Sequence, residues 1–299
     1  MSHEREIEIS VVIVTYNNEP VISSCLHSLL TELANGQHQI IIVDNNSSDG
    51  TRGTINTVVN EVGAAAFKII ENSQNLGFTK ALNQGLKKSS GKHILILNPD
   101  TIVQPSSLKT LLSRLSEDNK VGMTAPQLLN PDGTVQPSCR RFPVRRDVLF
   151  EISGLSSAFR ESKLFSRWKM GDFNHLSCRC VDQPQGACLL FERRLLDQVG
   201  LWDERFPMFF SDVDWCKRVK SHGYEILFEP AAKVVHYKGL SIKQKRPAMI
   251  CSSHRSFYMY FKKHKHDFII LNEILGVILF VTAPLRILWF WLSGEFQKS

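Results

Sequence analysis

The chain has 299 residues, enough for one large domain or two small ones, and its 43% hydrophobic and 22% charged residues are ordinary for a globular protein. Seven cysteines, an odd number without a CxxC pair, argue against a disulfide framework or a structural zinc site and fit a reducing cytosol. The charged start MSHEREIEIS lacks the apolar run of a signal peptide.

The first 120 residues alternate predicted strands and helices. Apolar, β-branched runs predict four strands, at 9–16, 39–44, 66–70 and 93–98. Helical spacing predicts three helices, at 51–62, 78–89 and 106–117. We expect Asn17 and Asn18 to cap another helix after the first strand, with Pro20 in its first turn. This order predicts a parallel sheet with helices on both faces.

The alternation ends after about residue 120. An NPDG turn at 130–133 precedes residues 137–180, which lack periodicity and which we interpret as a long substrate loop. A strand-to-helix unit then ends at Gly200, and SDVDWCKRVKSHG predicts a helix capped by Ser211 and ended by Gly223. YEILFEP and AKVVHY predict two further short strands.

The positive charge lies near the C-terminus. The net charge is +7, and between Glu229 and Asp267 there are nine Lys or Arg residues and no acid. The apolar segment 268–292 follows; it is long enough to span a bilayer but is interrupted by Pro284 and also contains charges. Basic and apolar stretches side by side, with tryptophans at the end, predict a peripheral or monotopic helix on the anionic cytoplasmic face of the inner membrane.

Two alternatives to that membrane contact exist. The helix could pack on the core or on a second subunit of a homodimer, or the charge could face nucleic acid. We do not expect nucleic acid, because no binding motif accompanies the charge. The chain therefore divides into a predicted domain at 1–242 and a C-terminal helical region at 243–299.

Two carboxylates are predicted at the carboxyl edge of the sheet. ILILNPDT ends a non-alternating, buried strand, and Pro99 turns the chain out of the sheet so that Asp100 stays at the edge where α/β sheets bind ligands. Asp100 could hold a divalent cation beside a diphosphate, or be an ordinary turn residue. Asp44, which ends the second strand, could accept from a sugar hydroxyl or a base N–H, or be a helix cap or Asx turn. Neither a GxGxxG nor a P-loop motif is present.

Three more ionisable residues could carry chemistry. Asp212 and Asp214 lie in the first turn of a predicted helix, where acids complement the helix dipole and Ser211 with Asp214 resembles a capping box. The alternative is that one of the two carboxylates is a general base facing a cleft. His236 ends AKVVH; such a histidine is commonly structural, yet beside Asp100 it would complete a mixed N/O site that suits Mn²⁺.

As an ordered set, the motifs resemble the family 2 glycosyltransferases of the GT-A fold, and more narrowly their bacterial rhamnosyltransferase-like branch. The motifs are VVIVTYN, IIVDNNSSDGT, NLGFTKALNQG, LILNPDT, GACLLFERRLLDQVGLWDERFPMFFSDVDWCKRVKSHGYEI and VVHYKGLS, within about residues 9–241. QPSCRRFP (136–143) also resembles this branch. The resemblance implies an α/β fold with a Rossmann-like mixed, mostly parallel sheet and flanking helices, followed here by an apolar or amphipathic C-terminal helical segment.

The resemblance also implies roles for single residues. Donor-side residues would be Thr15, Tyr16, Asn17, Asp44, Asn75, Gly77, Phe78, Lys80, Asn98 and Asp100. Asp100 and His236 would bind Mg²⁺ or Mn²⁺, although the first Asp of the family's DxD motif is Asn98 here. Asp212 would be the base, with Asp214 a second candidate because the family's preceding Glu is Ser211. Acceptor-side residues would be Gly186, Ala187 and Trp202.

The implied activity is inverting transfer of a sugar onto a lipid-linked or polysaccharide acceptor in O-antigen-like surface polysaccharide synthesis. The branch suggests L-rhamnose from dTDP-L-rhamnose, and a UDP-hexose is the alternative donor. Two other classes remain as rivals. One is a sugar nucleotidyltransferase, although TYNNEP is neither glycine-rich nor basic, and the other is a non-catalytic, membrane-associated scaffold.

Overall fold

A computed structural model describes residues 7–34, 36–237, 246–265 and 268–292. Its strands are β1 (Ile9–Thr15), β2 (His38–Asp44), β3 (Phe67–Glu71), β4 (His93–Leu97), β5 (Thr101–Val103), β6 (Val121–Leu129), β7 (Val135–Gln136), β8 (Cys139–Arg140), β9 (Arg179–Cys180), β10 (Gln183–Pro184), β11 (Cys188–Glu192) and β12 (Glu225–His236). Its helices are α1 (Glu19–Leu33), α2 (Thr51–Val62), α3 (Phe78–Lys88), α4 (Ser107–Glu117), α5 (Arg145–Ile152), α6 (Leu155–Ala158), α7 (Arg193–Val199), α8 (Ser211–Ser221), α9 (Arg246–His264) and α10 (Ile269–Leu292), with a 3₁₀ turn at Ala64–Ala66.

One large mixed sheet organises the molecule, with the strand order β3-β2-β1-β4-β11-β6-β12-β5. The first four of these strands are parallel, so their carboxyl ends meet at one edge. β11 enters antiparallel between β4 and β6, β12 runs parallel to β6, and β5 lies antiparallel on the far edge. The predicted α/β fold with a mixed, mostly parallel sheet is confirmed.

The helices cover both faces of this sheet. Along β1 the side chains alternate, so Val11 and Ile13 pack with α1, α2 and α4, whereas Val12 packs with α3, α7 and α8 on the opposite face. A third apolar core joins the C-terminal helices to α8: Val213 packs with Tyr260 of α9 and with other residues of α9 and α10. α9 and α10 therefore pack against the first turn of α8.

Several local predictions were wrong. The Asn18 side chain does not cap α1; its Oδ1 accepts from the Tyr16 N–H at 3.1 Å instead. Ser211 is the first residue of α8, and its hydroxyl donates to Met208 O at 3.0 Å. YEILFEP and AKVVHY form the single strand β12, whose register on β6 shifts between Glu229 and Lys233, where Pro230 cannot donate to the ladder.

The boundary predicted between 242 and 243 falls among residues 238–245, outside the described residues, as do Lys238, Lys243 and Lys245 of the basic stretch. Between β8 and β9, in the predicted loop, lie the helices α5 and α6. The sequence also gave no prediction for β6, whose nine residues VGMTAPQLL are almost all buried. Gly122 and Pro126 lie within this strand, and both residue types are rare in strands, so the sequence pattern did not indicate one.

Candidate active site

A cavity of about 570 Å³ lies where β1 and β4 end. It is lined by Val14, Thr15, Tyr16, Asn18, Asn45, Asn75, Gly77, Phe78, Asn98, Pro99, Asp100, Gln185, Pro207, Met208, His236, Met249 and Ser252. Eight of the predicted site residues belong to this lining, namely Thr15, Tyr16, Asn75, Gly77, Phe78, Asn98, Asp100 and His236. The other predicted residues lie behind or beside these walls.

The loops after β1 and β2 interlock beside the cavity, on the side where donor binding was predicted. The Asn17 backbone N–H donates to Ser47 Oγ at 3.0 Å, and Asn17 Oδ1 accepts from the Ser48 N–H at 2.8 Å. Asn17 has a positive φ of 54°, a conformation that asparagine tolerates better than most residues. The side chain of Asn17 thus fixes the loop that carries Tyr16 rather than lining the cavity itself.

Asn45 was missed in the sequence and connects two cavity loops. Its Oδ1 accepts from the Leu76 N–H at 3.0 Å and from Asn72 Nδ2 at 3.1 Å, while its Nδ2 donates to Asn75 Oδ1 at 2.9 Å. Asn75 Oδ1 accepts in turn from the Gly77 N–H at 2.9 Å. Asparagine after Asp44 in NNSSDG was read only as a turn residue, and its partners lie too far along the chain for a sequence pattern to reveal.

Gly77 lies where the loop before α3 contacts the loop before α8. Its φ is +84°, and a Cβ there would lie 3.3 Å from Pro207 O. Thr79 strengthens the same contact, since its N–H donates to Pro207 O at 3.2 Å and its hydroxyl donates to Phe206 O at 2.5 Å. A side chain at position 77 would therefore strain the backbone and press on the opposite cavity wall.

Asp44 is fully buried at the end of β2. Its Oδ2 accepts from Arg52 Nε at 2.6 Å and from the Ser47 N–H at 3.1 Å. Its Oδ1 is buried without a hydrogen-bond partner among the described residues. An orphaned carboxylate oxygen is costly, and Asp44 lies beside the cavity rather than in its lining, since it pairs with the lining residue Thr15.

Asp100 and His236 meet because of the strand register. His236 pairs with Thr101 in the antiparallel ladder of β12 and β5, and the Tyr237 N–H donates to Asp100 O at 2.8 Å. His236 Nε2 consequently lies 3.4 Å from Asp100 Oδ1 at the cavity wall. The pair joins residues from distant parts of the sequence without strain.

A divalent cation fits this pair of side chains. Carboxylate oxygen and imidazole nitrogen together suit Mn²⁺, and Asn98, which follows β4, lines the same cavity. In the part of the chain that the structure describes, no group of three or more His, Cys, Asp or Glu residues is arranged to hold a metal ion. The protein would therefore supply few ligands, and most of the coordination sphere would be left to other oxygen atoms.

Asp212 lies outside the cavity lining and contacts the residue after Gln185, which lines the cavity. Its Oδ2 accepts from Gln183 Nε2 at 2.9 Å and from the Gly186 N–H at 3.2 Å, and its Oδ1 accepts from the Val213 N–H at 2.8 Å. Burial raises the pKa of this carboxyl, while the Val213 and Gly186 amides and the charge of Arg140 partly offset the shift. A raised pKa brings a carboxylate closer to the range in which a general base is effective.

Asp214 has the opposite environment. Its Oδ1 lies 2.6 Å from Lys263 Nζ and 2.7 Å from His264 Nε2, and its Oδ2 lies 3.1 Å from Arg218 Nε. Burial alone would raise the pKa of Asp214, but hydrogen bonds from His264 and Lys263 outweigh it and lower the pKa. This carboxylate fastens α9 to α8 and lies outside the cavity lining.

The three residues predicted on the acceptor side lie outside the cavity lining. The Gly186 backbone holds Asp212, and Ala187 O accepts from the Asn98 N–H at 2.8 Å, which ties β11 to the end of β4. Trp202 is buried and stacks on Trp215, with Phe78 between it and the cavity. Lys80, predicted on the donor side, is exposed on α3 outside the cavity lining.

The C-terminal region contributes to the cavity, which the sequence did not reveal. Met249 and Ser252 of α9 line it, opposite the ends of the parallel strands. Beyond α9, the 24-residue helix α10 is long and apolar enough to cross a membrane by length and composition, yet it contains Pro284. Its outer face is apolar and open: Ile270 is 76% exposed and Phe280 is 83% exposed.

Comparison with known proteins gives one family and one fold. Residues 6–250 match the sequence model of the family described as "Glycosyltransferase like family 2". The chain is 28% identical over 271 residues to N-acetylglucosaminyl-diphospho-decaprenol L-rhamnosyltransferase of Mycobacterium tuberculosis, covering 84% of this chain and 82% of that protein.

Two solved structures share the fold. One is the mannosyltransferase PcManGT from Pyrobaculum calidifontis in complex with GDP-Man and Mn²⁺, with a TM-score of 0.60 and 16% identity over 97% of this chain and 77% of that chain. The other is GalNAc-T7 with UDP, GalNAc and Mn²⁺, with a TM-score of 0.56 and 17% identity over 78% of this chain and 44% of that chain. At such identities these likenesses establish the GT-A fold alone.

Proposed function

Because the chain belongs to glycosyltransferase family 2 and is therefore a glycosyltransferase, we propose that it transfers L-rhamnose from dTDP-L-rhamnose to a lipid-linked saccharide in surface polysaccharide synthesis. The similar mycobacterial protein is named for a rhamnosyl transfer to a diphospho-decaprenol-linked acceptor. The same chemistry would suit this chain. A UDP-hexose donor is the alternative, because the described contacts do not discriminate thymine from uracil.

One observation carries the proposal. The lining of a single cavity includes the Asp100–His236 pair and Gln185, and the residue after Gln185 donates its N–H to Asp212. A leaving diphosphate needs a cation site and an attacking hydroxyl needs a proton acceptor, and both must lie within reach of one anomeric carbon. The non-catalytic scaffold has no comparable support, since a scaffold does not require these groups to be placed together.

We propose a single inverting displacement. Asp212 accepts the proton of an acceptor hydroxyl, the freed oxygen attacks C1 of the sugar, and the C1–oxygen bond to the nucleoside diphosphate breaks. The Gln183 and Gly186 donors orient the Asp212 carboxylate for this role. A divalent cation bound by Asp100 and His236 would neutralise charge on the departing diphosphate.

On the donor side, Asp44 Oδ1 would accept from the N–H of a pyrimidine base. Thr15 and Tyr16 would line the nucleoside, and Asn98 would stand beside the diphosphate. These roles follow from the order of the loops along the sheet edge, which is the ligand edge of open α/β sheets. Trp202 has no role at the acceptor in this proposal, because it is buried outside the cavity lining.

We further propose that α10 lies on the cytoplasmic leaflet of an anionic membrane. Leu275 and Leu279 hold one face of the helix in the third core, and the remaining face of the 20 residues Ile269–Leu288 is an exposed apolar surface about 30 Å long. Arg255 and Lys262 of the adjacent helix α9 are exposed as well. Apolar burial combined with cations suits an interface of anionic lipid, where a lipid-linked acceptor would be found.

The membrane proposal is tested by flotation of full-length protein with vesicles of phosphatidylethanolamine and phosphatidylglycerol. Replacing Ile270, Val277 and Phe280 together by serine should abolish flotation. A matched control replaces Phe159, Leu164 and Leu176, which are exposed apolar residues elsewhere, and should float like the wild type. Equal flotation of both variants, or an α10-dependent dimer without flotation, would contradict membrane docking.

The transfer reaction is tested with purified protein in mild detergent, Mn²⁺ or Mg²⁺, several nucleotide sugars and a short-chain lipid-diphosphate-GlcNAc. Product mass and nucleotide release are followed together. A gain of one deoxyhexose that requires dTDP-rhamnose and is lost with EDTA would support donor, acceptor class and metal use. Transfer only from UDP-hexoses would replace the donor, whereas no nucleotide release and no nucleotide binding would favour a scaffold.

A further inference from the structure

The ring of His236 lies between two hydrogen-bond acceptors. Nδ1 is 2.8 Å from Gln136 Oε1, and Nε2 is 3.4 Å from Asp100 Oδ1. A neutral imidazole carries one proton, and a metal can bind only the nitrogen without it. Asp100 alone would favour a proton on Nε2, the nitrogen nearest the cavity. The group on the far side of the ring therefore decides whether Nε2 is available.

A chain of hydrogen bonds in the NPDGTVQ segment fixes that group. It starts at Asp132, whose pKa is lowered by hydrogen bonds from the Thr134 hydroxyl and backbone N–H. An ionised carboxylate only accepts, so the Thr134 hydroxyl must donate to Asp132 Oδ1 at 2.6 Å. Thr134 Oγ1 is then an acceptor, and Asn130 Nδ2 donates to it at 2.9 Å.

The same order of donors and acceptors continues from Asn130 to His236. With its NH₂ group turned toward Thr134, Asn130 presents Oδ1 to Gln136 Nε2 at 2.9 Å. Gln136 Nε2 also lies 3.3 Å from His236 O, a second acceptor that holds the amide in this orientation. The Gln136 carbonyl oxygen consequently faces the ring, where it can accept a proton from Nδ1 but cannot donate one.

The sheet places this chain beside His236. Gln136 pairs with Leu128 of β6 on one side, and β12 pairs with β6 on the other, with Val235 opposite Leu129. The NPDG turn, closed by Gly133 at a φ of +82°, brings the chain back so that its polar side chains lie in one row. All four side chains thus belong to one hairpin.

We propose that Asp132, Thr134, Asn130 and Gln136 form a polarity relay that holds the proton of His236 on Nδ1 and leaves Nε2 free to bind a divalent cation. Gln136 is then a positioning residue for the cation, in the outer shell of ligands. The inference rests on the proposed metal role of Asp100 and His236. Outer-shell partners of metal-binding histidines commonly contribute about 10- to 100-fold in metal affinity.

The first test reads the proton directly and needs neither donor nor acceptor. ¹⁵N-histidine NMR of the full-length protein without metal should show the Nδ1-protonated ring for His236, with the signal assigned by its loss in His236→Asn. Gln136→Leu should move the proton to Nε2, since Asp100 then offers the remaining acceptor. Gln136→Glu keeps an acceptor at that position and should restore the Nδ1 proton. A wild-type ring protonated on Nε2, or no change in Gln136→Leu, would overturn the relay.

The second test measures Mn²⁺ by water-proton relaxation with the same variants. Gln136→Leu should weaken Mn²⁺ binding about 10- to 100-fold. Gln136→Glu keeps the acceptor for Nδ1 but loses the Nε2 donor to Asn130, and it should bind Mn²⁺ more tightly than Gln136→Leu. Gln127→Leu is the matched control, because Gln127 is a buried glutamine of β6 that donates to the backbone of His175 and should leave Mn²⁺ affinity unchanged. Equal affinity in Gln136→Leu and wild type would contradict the proposal.

These readouts separate the relay from the proposed activity. Asp100→Asn should lose its affinity for Mn²⁺, while His236 keeps its proton on Nδ1. This variant therefore distinguishes the loss of a metal ligand from a change in the tautomer of His236. If the enzyme transferred no sugar from any donor but the proton moved as expected, the relay would stand and the proposed function would fail. If transfer were normal and the proton did not move, the relay alone would fall.

Discussion

The proposed donor side and the proposed base side of the cavity are built in different ways. On the donor side, short loops follow consecutive parallel strands, and neutral amides such as Asn45 and Asn75 connect them. The ion pair between buried Asp44 and Arg52 lies beside these loops. On the base side, Gln183 and Gly186 donate to Asp212, and Lys263 of α9 pairs with the neighbouring Asp214. The donor side therefore depends mainly on the loops that follow the parallel strands, and the base side depends on the segments that pack around the first turn of α8.

Two carboxylates on the first turn of α8 make this difference concrete. Asp212 is partly exposed and has no salt bridge among the described residues, and desolvation raises its pKa. Asp214, two residues later, contacts three basic side chains, and its pKa is lowered. Position along a helix does not determine the role of an acid; the charges brought by other elements do.

The largest expected effect concerns the base. Asp212→Asn removes the proton acceptor but preserves the shape and the Gln183 and Gly186 contacts in part, so transfer should fall about 10²- to 10⁴-fold. Nucleotide affinity should stay unchanged, because the donor side does not contact this residue. Turnover and calorimetric binding of dTDP or UDP measure the two quantities. Near-normal turnover would remove Asp212 from the mechanism.

Asp214→Asn should affect stability before chemistry. Removing one partner of a buried ionic group costs about 3 kcal/mol of unfolding free energy, at the lower end of the usual range because Lys263 keeps Asp203 as a partner. Denaturant unfolding at pH 7 measures the loss. Glu117→Gln, in the exposed Arg114 pair, is the control and should leave the unfolding midpoint unchanged.

The pH dependence of stability sharpens this second prediction. The folded pKa of Asp214 lies below its unfolded value of about 3.9, so its contribution is present above that value and is lost as the pH falls through the folded pKa. The wild type should therefore lose stability in acid below about pH 4, and Asp214→Asn should lose less over the same interval. If the wild type and Asp214→Asn lost equal unfolding free energy over this pH interval, Asp214 would have no ion pairs in solution.

The same contrast explains what the sequence could predict. On the donor side, the run of strands ending in Asp44 and Asp100 was visible, because buried strands, turn residues and the parallel topology are local patterns. The predicted strands and helices of the first 120 residues are confirmed with boundaries within two residues. The family and the glycosyltransferase activity, inferred from the ordered motifs, are confirmed as well.

On the base side, local patterns were insufficient. The roles of Gln183, Lys263 and Met249 depend on long-range contacts that leave no periodic signal, and Asn18 and Ser211 looked like helix caps until their partners were known. Propensity gives a residue's local options, whereas tertiary packing selects among them. The site roles of single residues remain predictions that the variants described here are designed to test.

A smaller effect is expected when the Gln183 side chain, which donates a hydrogen bond to Asp212, is removed. Gln183→Leu deletes the Nε2 hydrogen bond to Asp212 Oδ2, and loss of a bond to a charged group costs about 1.5–3 kcal/mol, or roughly 10- to 100-fold in rate. Without this donor the charged form is less favoured, so the pKa of Asp212 should rise further. The acid limb of the pH–rate profile should move to higher pH. An unshifted limb would mean that Gln183 has only a structural role.

The smallest effect should appear on the donor side. Asn45→Ala removes one amide that supports the Leu76 and Asn75 loop, and neutral hydrogen bonds contribute about 0.5–1.5 kcal/mol each. We expect donor KM to rise roughly fivefold with kcat nearly unchanged, because Asp212 and its partners are untouched. Asn60→Ala, exposed on α2, is the control. A fall in kcat equal to that of Gln183→Leu would mean that the two sides of the cavity are one coupled unit, contrary to the separation argued from their contacts.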